Sequence, residues 1–166
     1  KIFVTLYRIA VDSAIARALV NAARNGKKVT VMVELKARFD EANNIRWAKK
    51  MKSAGVKICY SNPSMKVHAK IALVKRKSAQ KKAQYYGLFS TGNFNENTAP
   101  LYTDHILLTS HSEMLQEVQS LFKILLKGRK SFAIRDHRFS HLIVAPFNIR
   151  ERFFDLIDRE ISEARQ

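Results

Sequence analysis

His68 lies in the stretch Lys66-Val67-His68-Ala69-Lys70. In an extended strand alternate side chains share a face, so Lys66, His68 and Lys70 are expected to project together while Val67, Ala69, Ile71 and Leu73 turn toward a core. That grouping suits phosphoryl transfer. Neutral imidazole is nucleophilic near pH 7, its phosphoramidate is labile enough to pass the group on, and an adjacent ammonium can hold a phosphate oxygen during attack. Taken alone, His-x-Lys is a short pattern that an incidental surface histidine also satisfies. Further along, Ser90-Thr91-Gly92-Asn93-Phe94-Asn95 offers a hydroxyl, an amide and close backbone approach, the parts that cradle a phosphoryl group. By itself that stretch also reads as a turn with an ordinary glycine.

Other residues are less specific. Arg8 follows an apolar run and reads equally as a phosphate clamp or a surface charge. Arg38, beside Phe39 and Asp40, could simply pair with that aspartate, and Tyr102 reads as a core or edge aromatic. The remaining histidines, His105, His111, His137 and His141, belong to no His-x-Lys pair and read as structural or solvent-exposed. Clusters of Cys and His at metal-ligand spacing are absent from the sequence. The single cysteine, Cys59, lies in the apolar run 56–60 and reads as a small buried hydrophobe. One cysteine excludes an intrachain disulfide and makes the cytosol the default compartment.

The elements that must position these residues follow from periodicity. Residues 2–7 read as a strand, and Asp12 or Ser13 caps a helix with Ile15, Ala18, Leu19, Ala22 and Ala23 at helical spacing, closed by Asn25-Gly26. A strand over 28–35 leads to a helix opened by Asp40-Glu41, with Ile45, Ala48 and Met51 on one face, closed by Ala54-Gly55; residues 56–60 form a third strand. After a loop containing Asn62-Pro63-Ser64, strands over 67–74 and 85–90 flank a basic hairpin turn at 75–82. A strand over 104–108 precedes a helix starting at Ser112 or Glu113, with Leu115, Val118, Leu121, Phe122 and Leu125 on its apolar face. A basic, irregular connection over 128–140, a short strand at 142–145 and a helix capped by Asn148, carrying Phe153, Leu156, Ile157 and Ile161, complete the chain. Early alternation of strands and helices with a central hairpin predicts an α/β fold, a mixed β-sheet flanked by helices.

Bulk properties set the bounds. A chain of 166 residues with 46% hydrophobic content suits one folded domain and excludes general disorder. No apolar run approaches the roughly 20 residues of a membrane span, and no signal peptide opens the sequence. Starting at Lys1, inside a strand, it reads as a piece of a longer protein. Thirty Lys and Arg against 14 Asp and Glu give a net charge of +16, which favours a polyanionic partner such as a nucleotide, polyphosphate, nucleic acid or an acidic surface. A solvated basic face is the plainer alternative.

His-x-Lys on one strand with Thr-Gly-x-Phe-Asn on the next resembles the half-motif of the phospholipase D superfamily, in which a histidine forms a covalent phospho-enzyme. That superfamily usually carries an aspartate shortly after the lysine. Here the stretch is Ala72-Leu73-Val74-Lys75-Arg76, which argues against an ordinary phosphodiesterase. Leu6-Tyr7-Arg8, the run from Val33 to Glu41, Val67-His68-Ala69-Lys70, Ser90-Thr91-Gly92-Asn93-Phe94-Asn95, Leu101-Tyr102-Thr103-Asp104 and Val144-Ala145-Pro146-Phe147 follow in order. This series resembles the polyphosphate kinase family, in the first of its two phospholipase-D-like catalytic domains, from near Lys1 to Gln166.

The resemblance implies an ATP–polyphosphate phosphotransferase in which His68 is phosphorylated. It makes Arg8 and Arg38 the arginines associated with magnesium-bound phosphates, and the interval from Arg8 to Arg38 equals that from Arg38 to His68. It makes Tyr102 a nucleotide contact, with Lys70 and Asn93 beside the phosphate. Mg2+ is the implied cofactor. A permanently protonated guanidinium is a poor metal ligand, so Arg8 and Arg38 are expected to clamp phosphates beside the ion. Some members carry a second histidine before the Thr-Gly-Asn loop; here Tyr86-Gly87-Leu88-Phe89 has none. The implied partners are ATP and ADP, inorganic polyphosphate, the remaining domains of a longer chain, including a second catalytic half with its own histidine, and further copies in a homo-oligomer. Nucleic acid is not expected as the physiological partner. A cytoplasmic location, with peripheral attachment at the inner membrane as an option, completes the expectation. The fragment alone should fold, bind polyanions weakly and show little kinase activity. The rivals are a phosphodiesterase or nuclease completed by pairing two copies, and a non-catalytic polyanion-binding module.

Overall fold

Short runs of β-branched and aliphatic residues separated by two amphipathic helices dictate the first half of the fold. A computed structural model describes residues 1–37, 39–61, 66–78, 81–127 and 139–165. The strands are β1 (Ile2–Leu6), β2 (Val29–Val33), β3 (Lys57–Tyr60), β4 (Lys70–Ser78), β5 (Lys81–Ser90) and β6 (Ile106–Thr109). The helices are α1 (Ala14–Arg24), α2 (Glu41–Ser53), α3 (Ser112–Lys127) and α4 (Ile149–Glu163), with a 3-10 turn at Ala99–Leu101.

Six strands form one sheet in the order β3-β2-β1-β4-β5-β6. β1 pairs parallel with β2 and β2 with β3, whereas β4, β5 and β6 join antiparallel. Parallel neighbours need crossovers, which α1 and α2 supply on one face. There Val4, Leu6, Val31 and Val33 meet Ala16, Leu19 and Val20 of α1 and Trp47, Ala48 and Met51 of α2. On the opposite face Ile71, Leu73 and Tyr85 pack against Leu115, Val118, Leu121 and Phe122 of α3, and Phe3 stacks on Phe122 at 5.4 Å between ring centroids. The mixed α/β sheet is as the sequence predicts.

Local chemistry accounts for the boundaries. The Ser13 hydroxyl accepts the Ala16 N–H at 3.1 Å and caps α1. Gly26, at φ +74°, ends that helix in the left-handed region.

Several expectations fail for identifiable reasons. The basic run expected as a turn at 75–82 is strand over its described residues: β4 continues to Ser78 and β5 begins at Lys81, with 79 and 80 outside the described residues. Lysine stems lie along a sheet while their charges stay wet, and the Lys75 ammonium binds Gln119 Oε1 at 2.8 Å above the Tyr85 ring. In α2 the buried face is Asn44, Trp47, Ala48 and Met51, with Ile45 exposed. Residues 142–145 form no strand. The Asn148 side chain does not cap α4; it accepts Val144 N–H at 2.7 Å and donates to the carbonyls of Phe139 and Leu142. Most of the expected basic connection, residues 128–138, lies outside the described residues.

Gly87 lies beneath Leu115 of α3. A methyl group there would overlap Leu115 Cδ2. Gly87→Ala is expected to destabilise the domain by about 1–3 kcal/mol through overpacking. Thermal unfolding checks this as a Tm lowered by roughly 3–10 °C.

Candidate active site

The carboxyl ends of β1 and β2, the entry to β4 and the exit of β5 lie together at one end of the sheet, as the registers Val4↔Ala72 and Lys70↔Ser90 require. Such strand ends are where open α/β sheets hold ligands. His68 lies just before β4, in residues 66–69, which are irregular rather than the strand expected there. Val67 is half-buried and Ala69 exposed, so neither faces the core as alternation predicts; Ile71 and Leu73 do.

Two side chains fix this approach. The Thr5 hydroxyl donates to the Ala69 carbonyl at 2.6 Å and accepts the Ile71 N–H at 2.9 Å. Glu34, only 1% exposed, accepts the Val67 N–H at 2.7 Å through one carboxylate oxygen. Its other oxygen accepts from the Lys36 N–H at 2.8 Å and the Ser61 hydroxyl at 2.7 Å. Asn44, fully buried, ties the ends of β1 and β2 by donating to the carbonyls of Tyr7 and Glu34 and accepting from the Ile9 N–H.

The structure brings His68 and Lys70 together. The Lys70 ammonium lies 3.1 Å from Nδ1 and 3.0 Å from Nε2 of His68. Lys70 itself is buried at 6% exposure, while the imidazole remains accessible. The Tyr7 and His68 rings meet nearly perpendicular with centroids 4.8 Å apart, and the Tyr7 ring carries the ammonium groups of Lys66 and Lys70 at 5.8 and 5.3 Å. Burial, with the charges of Lys70 and Lys66, lowers the His68 pKa below its ordinary value. Burial also pushes the Lys70 pKa down, against the opposing charge of Asp104.

The Thr-Gly-Asn stretch sits at the exit of β5. The Thr91 hydroxyl binds Asp104 at 3.0 Å and accepts the His105 N–H at 3.0 Å. Asp104 lies against Gly92 where any Cβ would collide, which explains the glycine as a close-approach residue. The buried Asn93 Oδ1 has no hydrogen-bond partner. Because amide O and N are assigned by their surroundings, the reversed amide would aim N–H donors from the same place. Asn95 is buried, folds its own loop through the N–H groups of Asn97 and Thr98, and donates to the Arg8 carbonyl at 3.4 Å. The Arg8 guanidinium pairs with Asp40 at 3.4 Å. Tyr102, expected from residue type to be a core or edge aromatic, is 68% exposed at the end of the 3-10 turn. Arg38 and His137 lie outside the described residues.

Sequence reading missed Glu34, Asn44, Tyr7 and Asp104 as parts of the site. The first two bind partners scattered over several segments, which no local pattern reveals. Asp104 supplies, from the β5–β6 connection, an acidic charge near Lys70 that β4 lacks. An apolar cleft of about 340 Å³ opens beside residues 66–69, walled by Leu121 and Leu125 of α3 and by residues 142–145. A grouping that the Cys and His spacing does not reveal is His111, Glu113 and His141, which bring one ligand atom each within 4.8 Å of one another.

The donor set around His68 fits phosphate better than a bare metal ion. Lys66, Lys70 and Arg8 are cationic, and the nearby carboxylates Asp40 and Asp104 are bonded to Arg8 and Thr91. A magnesium ion therefore fits here only when carried by phosphate oxygens and water.

The profile described as polyphosphate kinase C-terminal domain 1 matches residues 1–131. The chain is 45% identical over 163 residues to a polyphosphate kinase of Salmonella typhimurium, covering 98% of this chain and 23% of that protein. It thus spans about a quarter of the length of such relatives. Among solved structures, polyphosphate kinase from Porphyromonas gingivalis superposes with a TM-score of 0.82 at 45% identity, covering 99% of this chain and 26% of that one. Nuc of Salmonella typhimurium, a phospholipase D family member, shares the fold at a TM-score of 0.61 and 14% identity, covering 77% of this chain and 79% of that one. A pre-strand histidine beside a buried lysine, a Thr-Gly-Asn cradle at the same sheet end and this extent of similarity place the chain in the polyphosphate kinase family.

Proposed function

We propose that this chain forms the nucleophile-bearing half of an ATP–polyphosphate phosphotransferase. The observation that carries this reading is the accessible imidazole of His68 held 3.0 Å from the buried Lys70 ammonium. One ring nitrogen attacks the terminal phosphorus of ATP. The N–P bond forms as the bond to the bridging oxygen breaks, and that oxygen leaves on ADP with the electron pair. A terminal polyphosphate oxygen then attacks phosphorus, and the N–P electrons return to the imidazole. Both steps are reversible.

Before substrate arrives, the Lys70 ammonium can donate to whichever ring nitrogen carries the lone pair; on binding, it turns to a phosphoryl oxygen and frees that lone pair. Lys70, Asn93, Arg8 and Arg38 spread their positive charge and donors over the phosphoryl oxygens, which is where most phosphoryl-transfer catalysis lies. Magnesium on the phosphates would add further charge neutralisation. The exposed Tyr102 ring is free to stack on a nucleotide base.

The lowered pKa keeps His68 neutral, and so nucleophilic, at pH 7 and somewhat below. Since the folded-state value lies under the unfolded one, the unfolded chain binds more protons below pH 6.5 and stability falls as pH drops through that window. Lys70→Met removes one lowering charge, so an NMR titration of His68 should show its midpoint rise. An unchanged midpoint would detach Lys70 from the imidazole.

Among the described residues no second histidine contacts His68, and in this reading another catalytic half of the complete enzyme serves the leaving and attacking oxygens. Phe153, Phe154 and Ile157 of α4 and Ile106 and Leu108 of β6 are exposed apolar residues that further domains would cover. Homo-oligomerisation and a cytoplasmic place, with peripheral attachment at the inner membrane, belong to the same proposal. No helix among the described residues is long and apolar enough to cross a membrane. The isolated chain should bind polyphosphate in a salt-dependent way with little kinase activity.

Incubating the complete enzyme with labelled ATP and magnesium, then mapping acid-labile phosphate by peptide, tests the reading. Label on His68 is expected; label elsewhere, or diester hydrolysis by a dimer of this chain, would replace it with the phosphodiesterase alternative.

A further inference from the structure

We propose that His111, Glu113 and His141 form a transition-metal site of the zinc class that fastens the 139–145 segment to the start of α3. The three ligand atoms lie within 4.8 Å of one another. His141 Nε2 is 3.3 Å from a Glu113 carboxylate oxygen. A tetrahedral ion with bonds of about 2.0–2.1 Å holds its ligand atoms roughly 3.4 Å apart, so this pair already has the required separation.

The surroundings of His141 are those of a metal ligand. Its Nδ1 lies 3.2 Å from Glu117 Oε1; with the proton on that nitrogen, Nε2 offers its lone pair to an ion shared with Glu113. Carboxylates behind ligating histidines play this orienting part in protein zinc sites. Glu117 is itself fixed by the N–H groups of Ser140, His141 and Leu142. His111 is the less prepared ligand. Its Nδ1 accepts the Met114 N–H at 3.2 Å, and binding through either ring nitrogen gives up that bond. The ring nevertheless stands 5.2 Å from that of His141, close enough for both to reach one ion.

Two imidazoles and one carboxylate, with a position left for water, suit zinc, cobalt or nickel, whereas magnesium prefers oxygen alone. This site is therefore chemically distinct from the phosphate-borne magnesium proposed above. Its consequence is mechanical: residues 142–145, next to His141, wall the cleft beside His68. An ion at this place would hold that wall against α3.

Calorimetric titration of the metal-free chain with Zn2+ should show one equivalent bound, and Co2+ should give the visible absorption of a four- or five-coordinate site. His111→Ala and His141→Ala should each weaken zinc binding at least tenfold. Glu117→Gln should weaken it by a smaller factor, and His105→Gln should leave it unchanged. Zinc should raise the Tm of the unsubstituted chain but not that of the His111→Ala/His141→Ala double variant. No binding to the unsubstituted chain, or equal binding to the double variant, would overturn the proposal.

Discussion

His68→Gln in the complete enzyme is expected to lower ATP-dependent polyphosphate synthesis by about 10⁴-fold or more, the scale seen when a covalent nucleophile is removed. The acid-labile phosphate should vanish with it. The substitution touches little of the fold, because the imidazole is accessible and its contacts are the Lys70 ammonium and the Tyr7 ring. Tm should stay within about 1–2 °C of the parent value, as for a surface change. That separation matters. A loss of activity accompanied by a collapse in Tm would report only misfolding. Retained synthesis with a stable fold would show that the phosphoryl group passes directly between ATP and polymer, and the covalent step would fall. Binding of polyphosphate should survive, since Arg8, Lys66 and Lys70 still provide the charge.

What the sequence made legible was the part of the site written in contiguous residues. Val67-His68-Ala69-Lys70 and Thr91-Gly92-Asn93 each carry their chemistry within a few positions, and the hairpin register Lys70↔Ser90 brings them together. The helices on both faces were legible for the same reason, since Leu115, Val118, Leu121 and Phe122 repeat at helical spacing. Charge misled the reading of the hairpin. A run of Lys and Arg looks like a turn, yet β4 runs on to Ser78 and β5 starts at Lys81, because long stems can lie on a sheet and keep their charges in water. Residues 142–145 look like a strand from their apolar content, but they find no ladder partner and instead close a cleft, pinned by Asn148. Long-range polar partners were invisible. Nothing near Asp104 in sequence shows that it will sit over Gly92, and nothing near His141 shows that it will meet His111 and Glu113.

Glu34 is the clearest case of a residue whose importance exists only in three dimensions, and its removal should have the second largest effect. The carboxylate is buried and accepts three hydrogen bonds, from the Lys36 N–H, the Ser61 hydroxyl and the Val67 N–H. Hydrogen bonds to a charged group contribute about 1.5–3 kcal/mol each, and a donor left unsatisfied in the interior costs about as much again. Against this stands the cost of burying the charge, which the alanine variant no longer bears. The balance for Glu34→Ala is a loss of about 2–4 kcal/mol, as for other broken buried networks. Thermal unfolding should show it as a Tm lowered by roughly 5–15 °C. Glu34→Gln should fall between, since its amide keeps one acceptor but turns an NH2 toward a group that is itself a donor. The effect on chemistry is separable from stability at a temperature where the variant remains folded. With the Val67 N–H released, the hold that remains on this approach among the described residues is Thr5 at Ala69 and Ile71, and His68 loses its fixed place beside Lys70. Phosphorylation of His68 should then slow by about tenfold to a hundredfold, the cost of a misplaced reacting group. Its NMR titration midpoint should rise toward that of an ordinary histidine. If Glu34→Ala kept both its Tm and its phosphorylation rate, Thr5 alone would suffice to hold the nucleophile.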